Sequence, residues 1–198
     1  MATQTKTKRQ IQAEQTKNRV FYAAVQLLAE KEFDDITIRD IITRAEVSIG
    51  TFYHYYASKL EVFYETFRMA DDYFVDEVSP LLTQKTTYEN ILLFFNCYAT
   101  YNVIKIDRQM LRLLYNPGNT FFNRDPHQGV QGVLVDLIEQ GFKKGEIFTC
   151  DSAEYIARYL MICARGLVYN WCTTNYAYDL HAEMHRFVTL LLKAYFQR

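Results

Sequence analysis

The chain has 198 residues, a formal net charge of −1 and a hydrophobic content of 49%. This length suits one large domain or two small ones with a sizeable core, and the near-neutral charge excludes a polycation. Glycine and proline are scarce, at 7 and 3 residues, which favours helices over a turn-rich β fold. The most apolar run, residues 91–104, is too short and too interrupted by polar residues to span a membrane.

The first third of the chain predicts one long helix followed by short ones. Residues 1–12 are polar, and we expect no regular structure there. Apolar residues at helical spacing then predict an amphipathic helix over residues 14–31. A capping-box pattern at Thr37 and Asp40 opens a short second helix.

Two further serines predict helix starts. Ser48 is a suitable cap for a third short helix over residues 49–55. Ser58 and Glu61 repeat the capping-box pattern and open a long helix that ends before Pro80.

In the rest of the chain, apolar runs between capping residues and turns predict longer helices. Their expected bounds are 87–103, 106–115, 125–144, about twenty residues from 151, and 179–196. Aspartates at 125, 151 and 179 are the expected caps, and Gly145 is expected to be left-handed. The pattern predicts an all-α fold of about nine helices, with three short helices before a bundle of longer ones.

Two short helices joined by a tight turn after a longer helix form a helix-turn-helix candidate, whose second helix enters the major groove of DNA. At 100° per residue, Phe52 and Tyr56 fall together and are expected to pack inward. The remaining positions form an outer arc without an acidic residue: Ile49, Gly50, Thr51, Tyr53, His54 and Tyr55. On periodicity alone, an aromatic-rich packing helix explains the same stretch equally well.

Flanking residues favour a polyanionic partner. Lys59 lies at a predicted helix start, where its charge and the helix N-terminus both favour a phosphate. Thr37 presents a hydroxyl and an amide at another predicted start. Residues 1–31 hold six basic and two acidic residues, which suits either nucleic acid or a solvated tail.

The stretch TIRDIITRAEVSIGTFYHYYASKLEVF, residues 37–63, resembles the AcrR-like helix-turn-helix of the TetR family of bacterial transcriptional regulators. The family pattern is matched at Thr37, Ile41, Ala45, Val47, Ser48, Gly50, Thr51, Tyr53, Tyr55, Ser58 and Lys59. Glu46 and Glu32 replace glycines of that pattern. A left-handed backbone at either position would cost about 1 kcal/mol.

The resemblance implies a DNA-binding domain over residues 1–57 and a helical effector-binding and dimerisation domain over 58–198. It implies a cytoplasmic homodimer that binds a palindromic double-stranded operator, acts as a repressor and is released by a small molecule. Ile49, Gly50, Tyr53 and His54 are then candidates for base contacts. The candidate contacts to the DNA backbone are Thr37, Ser48, Thr51, Tyr55 and Lys59.

The resemblance also places an effector pocket among the aromatic middle helices and a dimer interface on the last two. We expect a largely apolar or aromatic effector, because rings dominate this region. The candidate pocket residues are Phe94, Tyr98, Tyr101, Tyr115, Phe122 and Trp171. The candidate interface residues are Leu160, Leu167, Phe187, Leu191 and Tyr195.

Three alternatives are a TetR-like protein without an inducer, a helical enzyme and a protein-interaction bundle. His181 and His185 are one helical turn apart, but the glutamate between them is not at its H-E-x-x-H position, so we expect no metal, no cofactor and no catalytic residue. An interaction bundle leaves the acid-free arc at residues 50–55 unexplained. We expect Tyr53→Ala or Lys59→Ala to preserve the fold and weaken DNA binding.

Overall fold

The computed structural model describes residues 7–106, 108–115 and 125–196. Every regular element in these ranges is helical and none is a strand, which confirms the predicted all-α fold. Contacts divide the chain into an N-terminal unit, Met1–Glu65, and a C-terminal unit, Thr66–Arg198.

The N-terminal unit is built from one long and three short helices joined by tight turns. The helices are α1 (Lys8–Glu30), α2 (Ile38–Ala45), α3 (Ile49–Tyr55) and α4 (Lys59–Phe63), and a 3-10 turn (Phe33–Asp35) precedes α2. The expectation that residues up to 12 lack structure is wrong for residues 8–12. Thr7 caps α1 in a capping box with Gln10, so the helix begins at Lys8 and not at residue 14, where the apolar pattern begins.

The inward sides of these helices form one core. Phe52 and Ile41 have no exposed surface, and Val20 of α1 and Val62 of α4 are equally buried. Two ion pairs link α1 to α2 at their exposed edge. Arg44 binds both carboxylate oxygens of Glu30, at 2.7 and 2.8 Å, and Lys31 Nζ lies 2.8 Å from Asp40 Oδ2.

The C-terminal unit consists of longer helices with two π-helical segments. The first is α5 (Glu65–Tyr73), which starts at the end of the preceding unit and continues as a π-helix (Phe74–Val78) and a 3-10 turn (Ser79–Leu81). The next is α6 (Thr87–Thr100), which continues as a π-helix (Tyr101–Lys105). The remaining helices are α7 (Arg108–Leu114), α8 (Gly129–Lys143), α9 (Ala153–Thr173) and α10 (Leu180–Phe196). Only Tyr64, itself helical, separates α4 from α5. Counted as continuous helices, the described residues contain nine, as predicted.

Helix starts after the middle of the chain differ from prediction at two aspartates. Asp125 opens a turn and accepts a hydrogen bond from the His127 amide, so α8 starts after Gln128. Ser152, one residue after the predicted Asp151, caps α9 by accepting from the Tyr155 amide. The predicted cap at Asp179 is confirmed, since its carboxylate accepts from the amides of residues 181 and 182.

The core of the C-terminal unit lies around α6, which packs against α8 and α10. Its fully buried large side chains include Phe74, Phe94, Ile91 and Leu134. Gly145 follows α8 with φ +67°, so the predicted left-handed position is confirmed. Within the described ranges, no helix has both the length and the apolarity needed to cross a bilayer.

Candidate nucleic-acid interface and effector cavity

Helix α3 has one side in the core and the other in solvent. Phe52 has no exposed surface, and Tyr56, which ends the helix, is 2% exposed and donates its hydroxyl to the Lys17 carbonyl at 3.3 Å. In contrast, Ile49 and Tyr53 are 57% and 54% exposed. The sequence therefore predicted both the inner and the outer side of α3.

The outer side of α3 is polar, aromatic and free of negative charge. Gly50 and His54 are exposed, while Thr51 and Tyr55 are half-buried. No aspartate or glutamate occurs over residues 47–60. Such a surface can approach phosphates without charge repulsion and can offer hydrogen-bond donors to base edges.

Gly50 is not required by the fold of the N-terminal unit. It lies in the first turn of α3, and a Cβ atom added there would meet only the Ser48 Oγ, at 3.7 Å. Alanine would fit and would favour the helix by about 0.5–1 kcal/mol. The missing side chain therefore opens the outer side of α3 to close approach by another molecule.

The capping hydroxyls at this interface are already engaged inside the unit. Ser48 Oγ accepts from the Thr51 amide at 3.0 Å and lies 2.8 Å from the Thr51 Oγ1. Thr37 gives both its amide and its hydroxyl to Asp40 Oδ2, at 2.8 and 2.7 Å. These residues therefore shape the helix starts, and the first-turn amides without intrahelical partners remain the donors nearest to a phosphate at each start.

Lys59 begins α4, as the sequence predicted, and its side chain is engaged within the unit. Its ammonium donates to the carbonyls of Phe33 and Ile36, at 2.6 and 2.7 Å, and lies 4.1 Å from the Phe33 ring centroid. The side chain thus ties α4 to the 3-10 turn. Lys59→Ala would therefore remove two charge-assisted hydrogen bonds and destabilise the unit, and the contact of Lys59 with a DNA phosphate stays a prediction.

Most other cations near α2 are paired with carboxylates. Lys31 and Arg44 pair with Asp40 and Glu30, as described above. The hydrogen bond from Lys31, followed by those from Thr37, holds the pKa of Asp40 far below its usual range. Arg39 is exposed and forms no ion pair with any described carboxylate. Sequence reasoning missed Arg39, although a cation in the first turn of α2 was a visible signal.

A partly open cavity of about 50 Å³ lies in the C-terminal unit. Of the predicted pocket residues, Tyr98, Tyr101 and Tyr115 line it. Phe94 is fully buried core, and Trp171 is buried elsewhere with its Nε1 donating to the Tyr178 carbonyl at 2.8 Å. Residue 122 lies outside the described residues. The other polar residues that line the cavity are Asp71, Asn102, Gln131 and Arg165.

The predicted interface residues of α9 and α10 differ in exposure. Leu160 is 2% exposed and belongs to the core of its own unit, because it faces the other helices of the bundle. Leu167, Phe187, Leu191 and Tyr195 are half-buried. A separate row on α9 points to solvent, with exposed fractions of 46–53%: Tyr155, Tyr159, Ile162 and Tyr169. Sequence reasoning missed this row, although its spacing of three, four and seven residues follows one face of a helix.

Residues 21–66 match the model for bacterial regulatory proteins of the tetR family. No curated protein sequence matches the chain significantly. The matched segment runs from α1 into α5 and so includes the whole helix-turn-helix. The match confirms the resemblance carried by residues 37–63, and it identifies this segment as similar to the helix-turn-helix of the tetR family.

Solved structures of such regulators share the fold over most of the chain. Thermus thermophilus FadR, a TetR family transcriptional repressor in complex with lauroyl-CoA, is 22% identical with a TM-score of 0.72, over 89% of this chain and 93% of that one. Bacillus subtilis FadR in complex with stearoyl-CoA is 19% identical with a TM-score of 0.67, over 87% and 96%. NalD of Pseudomonas aeruginosa, the secondary repressor of a multidrug efflux pump, is 16% identical with a TM-score of 0.61, over 93% and 98%.

Proposed function

We propose that the chain is a cytoplasmic, homodimeric repressor that binds a palindromic operator and is released by a small-molecule effector. DNA binding is assigned to residues 1–57, and effector binding and dimerisation to 58–198. The observation that carries this proposal is the outer side of α3, where Tyr53 and Ile49 are exposed around an open Gly50. A helix of this form fits the major groove, which admits an α-helix.

The chemistry of α3 suggests how sequence is read. Ile49 supplies an apolar surface for a thymine methyl group, while Tyr53 and His54 supply hydrogen-bonding groups. The exposed Arg39 joins Thr51 and Tyr55 as a candidate contact to the DNA backbone. In this arrangement the neutral residues carry the sequence preference and the basic residues carry the salt dependence of affinity.

Two copies are needed for useful specificity, because one helix-turn-helix reads only a few base pairs. The exposed row on α9, from Tyr155 to Tyr169, is the surface that we assign to the second copy, together with Leu190 of α10, which is 54% exposed. Gly166 lies within this row, and a Cβ atom added there would meet nothing within 4 Å. A bare backbone at the middle of an exposed apolar face allows a partner helix to cross closely.

The effector site is assigned to the cavity beside Tyr98 and Tyr115. Its present volume of about 50 Å³ is far below the roughly 300–1,000 Å³ of small-molecule sites, so an effector must widen it. The complexes of the two FadR proteins with acyl-CoA support an effector with a long apolar part. Widening would change the packing around α5, which continues from α4 of the DNA-binding region, and this supplies a route from effector to DNA.

The test is a mobility-shift titration with the DNA segment upstream of the chain's own reading frame. Tyr53→Ala should weaken binding about tenfold or more, because it removes an exposed ring with a hydroxyl from the centre of the interface. Tyr22→Ala is the matched control, since Tyr22 is also an exposed tyrosine, at 51%, but lies on α1. Equal affinities for the two variants would remove α3 from the interface.

A further inference from the structure

Two openings in the C-terminal unit meet at one side chain. The inner cavity described above and an outer groove of about 340 Å³ are both lined by Tyr115. The other residues of the outer groove are Arg112, Tyr169, Cys172 and Thr173. Tyr115 is therefore common to both openings, and we call it the Tyr115 partition because a rotation of its ring would join the partly open apolar cavity to the outer groove.

Hydrogen bonds hold Tyr115 in this position. Its hydroxyl lies 2.8 Å from the Tyr98 hydroxyl and donates to Asn102 Oδ1 at 3.3 Å. Burial raises the pKa of Tyr115 well above its usual value and also raises that of Tyr98, so both rings stay neutral. Neutral hydrogen bonds of this kind contribute little net stability, so a ligand can displace the ring at modest cost.

The outer groove carries positive charge. Arg112 is exposed and forms no ion pair with any carboxylate in the part of the chain that the structure describes. Its contacts are a long hydrogen bond to Asn175 Oδ1, at 3.5 Å, and the Tyr176 ring, 6.0 Å from its guanidinium. Arg108 lies over the same ring at 4.3 Å, and among the described residues none that lines the groove is acidic. The groove therefore favours an anionic group.

The inner cavity suits the opposite end of a molecule. Its lining is mainly apolar and aromatic, with Phe67, Ile106, Val130 and Met161 among its residues. It also contains Arg165 and the Asp71 carboxylate, which accepts a hydrogen bond from the Val130 amide at 2.9 Å. An anion placed inside would meet Arg165 but also the Asp71 carboxylate, which repels it, whereas an apolar chain would meet mostly rings and aliphatic carbons.

We propose that the effector of this chain is an elongated amphipathic anion that binds across the Tyr115 partition. Its apolar end occupies the inner cavity, its anionic group pairs with Arg112 in the outer groove, and Tyr115 turns aside to admit it. This inference rests on the proposed function, because it specifies the ligand class of the same effector site.

The charge of the ligand is tested by calorimetry on the full chain without DNA, with dodecanoate and dodecylammonium as probes below their micelle concentrations. Dodecanoate should bind at least tenfold more tightly than dodecylammonium. Arg112→Gln should weaken dodecanoate binding about tenfold, and Arg112→Lys should recover most of the loss. Arg186→Gln is the matched control, because Arg186 is an exposed arginine of α10, outside both openings, and should leave binding unchanged.

The partition is tested with Tyr115→Phe, which keeps the ring and removes its bonds to Tyr98 and Asn102. Dodecanoate should bind this variant several-fold more tightly, because opening no longer breaks those bonds. Absence of dodecanoate binding, equal binding of dodecylammonium, equal effects of Arg112→Gln and Arg186→Gln, or unchanged affinity in Tyr115→Phe would each overturn the proposal. None of these results depends on DNA, so they are distinct from a failure of the α3 assignment.

Discussion

Glu46, in the turn between α2 and α3, has φ 53° and ψ 49°, a left-handed conformation that disfavours every residue except glycine and, to a lesser degree, asparagine and aspartate. From the sequence alone, a left-handed backbone was possible at Glu46 and at Glu32 alike. Glu32 has φ −63° and ψ 150°, which is ordinary extended backbone. Only one of the two departures from the family pattern therefore costs stability.

Replacing each of these glutamates by glycine should change stability in opposite directions. Glu46→Gly should raise the free energy of unfolding by about 0.5–1 kcal/mol, because relief of left-handed strain exceeds the added entropy of the unfolded chain. Glu32→Gly should lower the free energy of unfolding by a similar amount, because it raises the conformational entropy of the unfolded chain and there is no left-handed strain at residue 32 to relieve. Urea denaturation of both variants measures the difference, and a destabilised Glu46→Gly would contradict the account of this turn.

At the scale of an element, α3 combines a well-packed inner side with an outer side on which a glycine lowers the stability of the helix. Phe52 and Tyr56 are buried, and the Ser48 cap fixes the start of the helix. Gly50 then leaves backbone open where alanine would fit. A residue that weakens its own helix without a structural need points to a contact outside the unit.

Gly50→Ala should separate stability from DNA binding. The variant should be more stable by about 0.5–1 kcal/mol, because alanine favours the helix and meets no clash. Its affinity for the upstream DNA segment should fall several-fold or more, since a methyl group then stands between backbone and groove. Urea denaturation and mobility shift are measured on the same preparation. A stabilised variant with unchanged affinity would show that α3 does not approach DNA closely at Gly50.

At the scale of the whole molecule, the exposed row on α9 provides the proposed contact between two copies. Ile162 is 46% exposed and lies within this row. Ile162→Glu should convert the protein to a monomer at micromolar concentration, because a two-fold axis would bury two unpaired charges and weaken association about a hundredfold or more. Sedimentation measures the change.

Val75→Glu is the matched control for this prediction. Val75 is an aliphatic residue with 49% exposure in the π-helical segment after α5, outside α9 and α10. It should leave the oligomeric state unchanged. A dimer that survives Ile162→Glu would place the interface elsewhere, and dissociation by both variants would show a general effect of added charge.

Local sequence patterns determined much of this protein. The capping pairs at Thr37 and Ser48, the buried positions of Phe52 and Tyr56, and the left-handed Gly145 all follow from interactions within a few residues along the chain. Such interactions depend on helical periodicity and capping chemistry, which are visible in a single sequence. The motif of residues 37–63 added the resemblance to the tetR family.

Tertiary structure decided which partners distant residues find. Lys59 turns to the carbonyls of Phe33 and Ile36. Phe94 fills the core, while Tyr115 lines both a cavity and a groove. The apolar residues of α9 divide into a buried set with Leu160 and an exposed set with Ile162. Composition and spacing do not distinguish these outcomes, because burial and pairing depend on which elements meet in space, and that is set by packing between segments far apart in the chain.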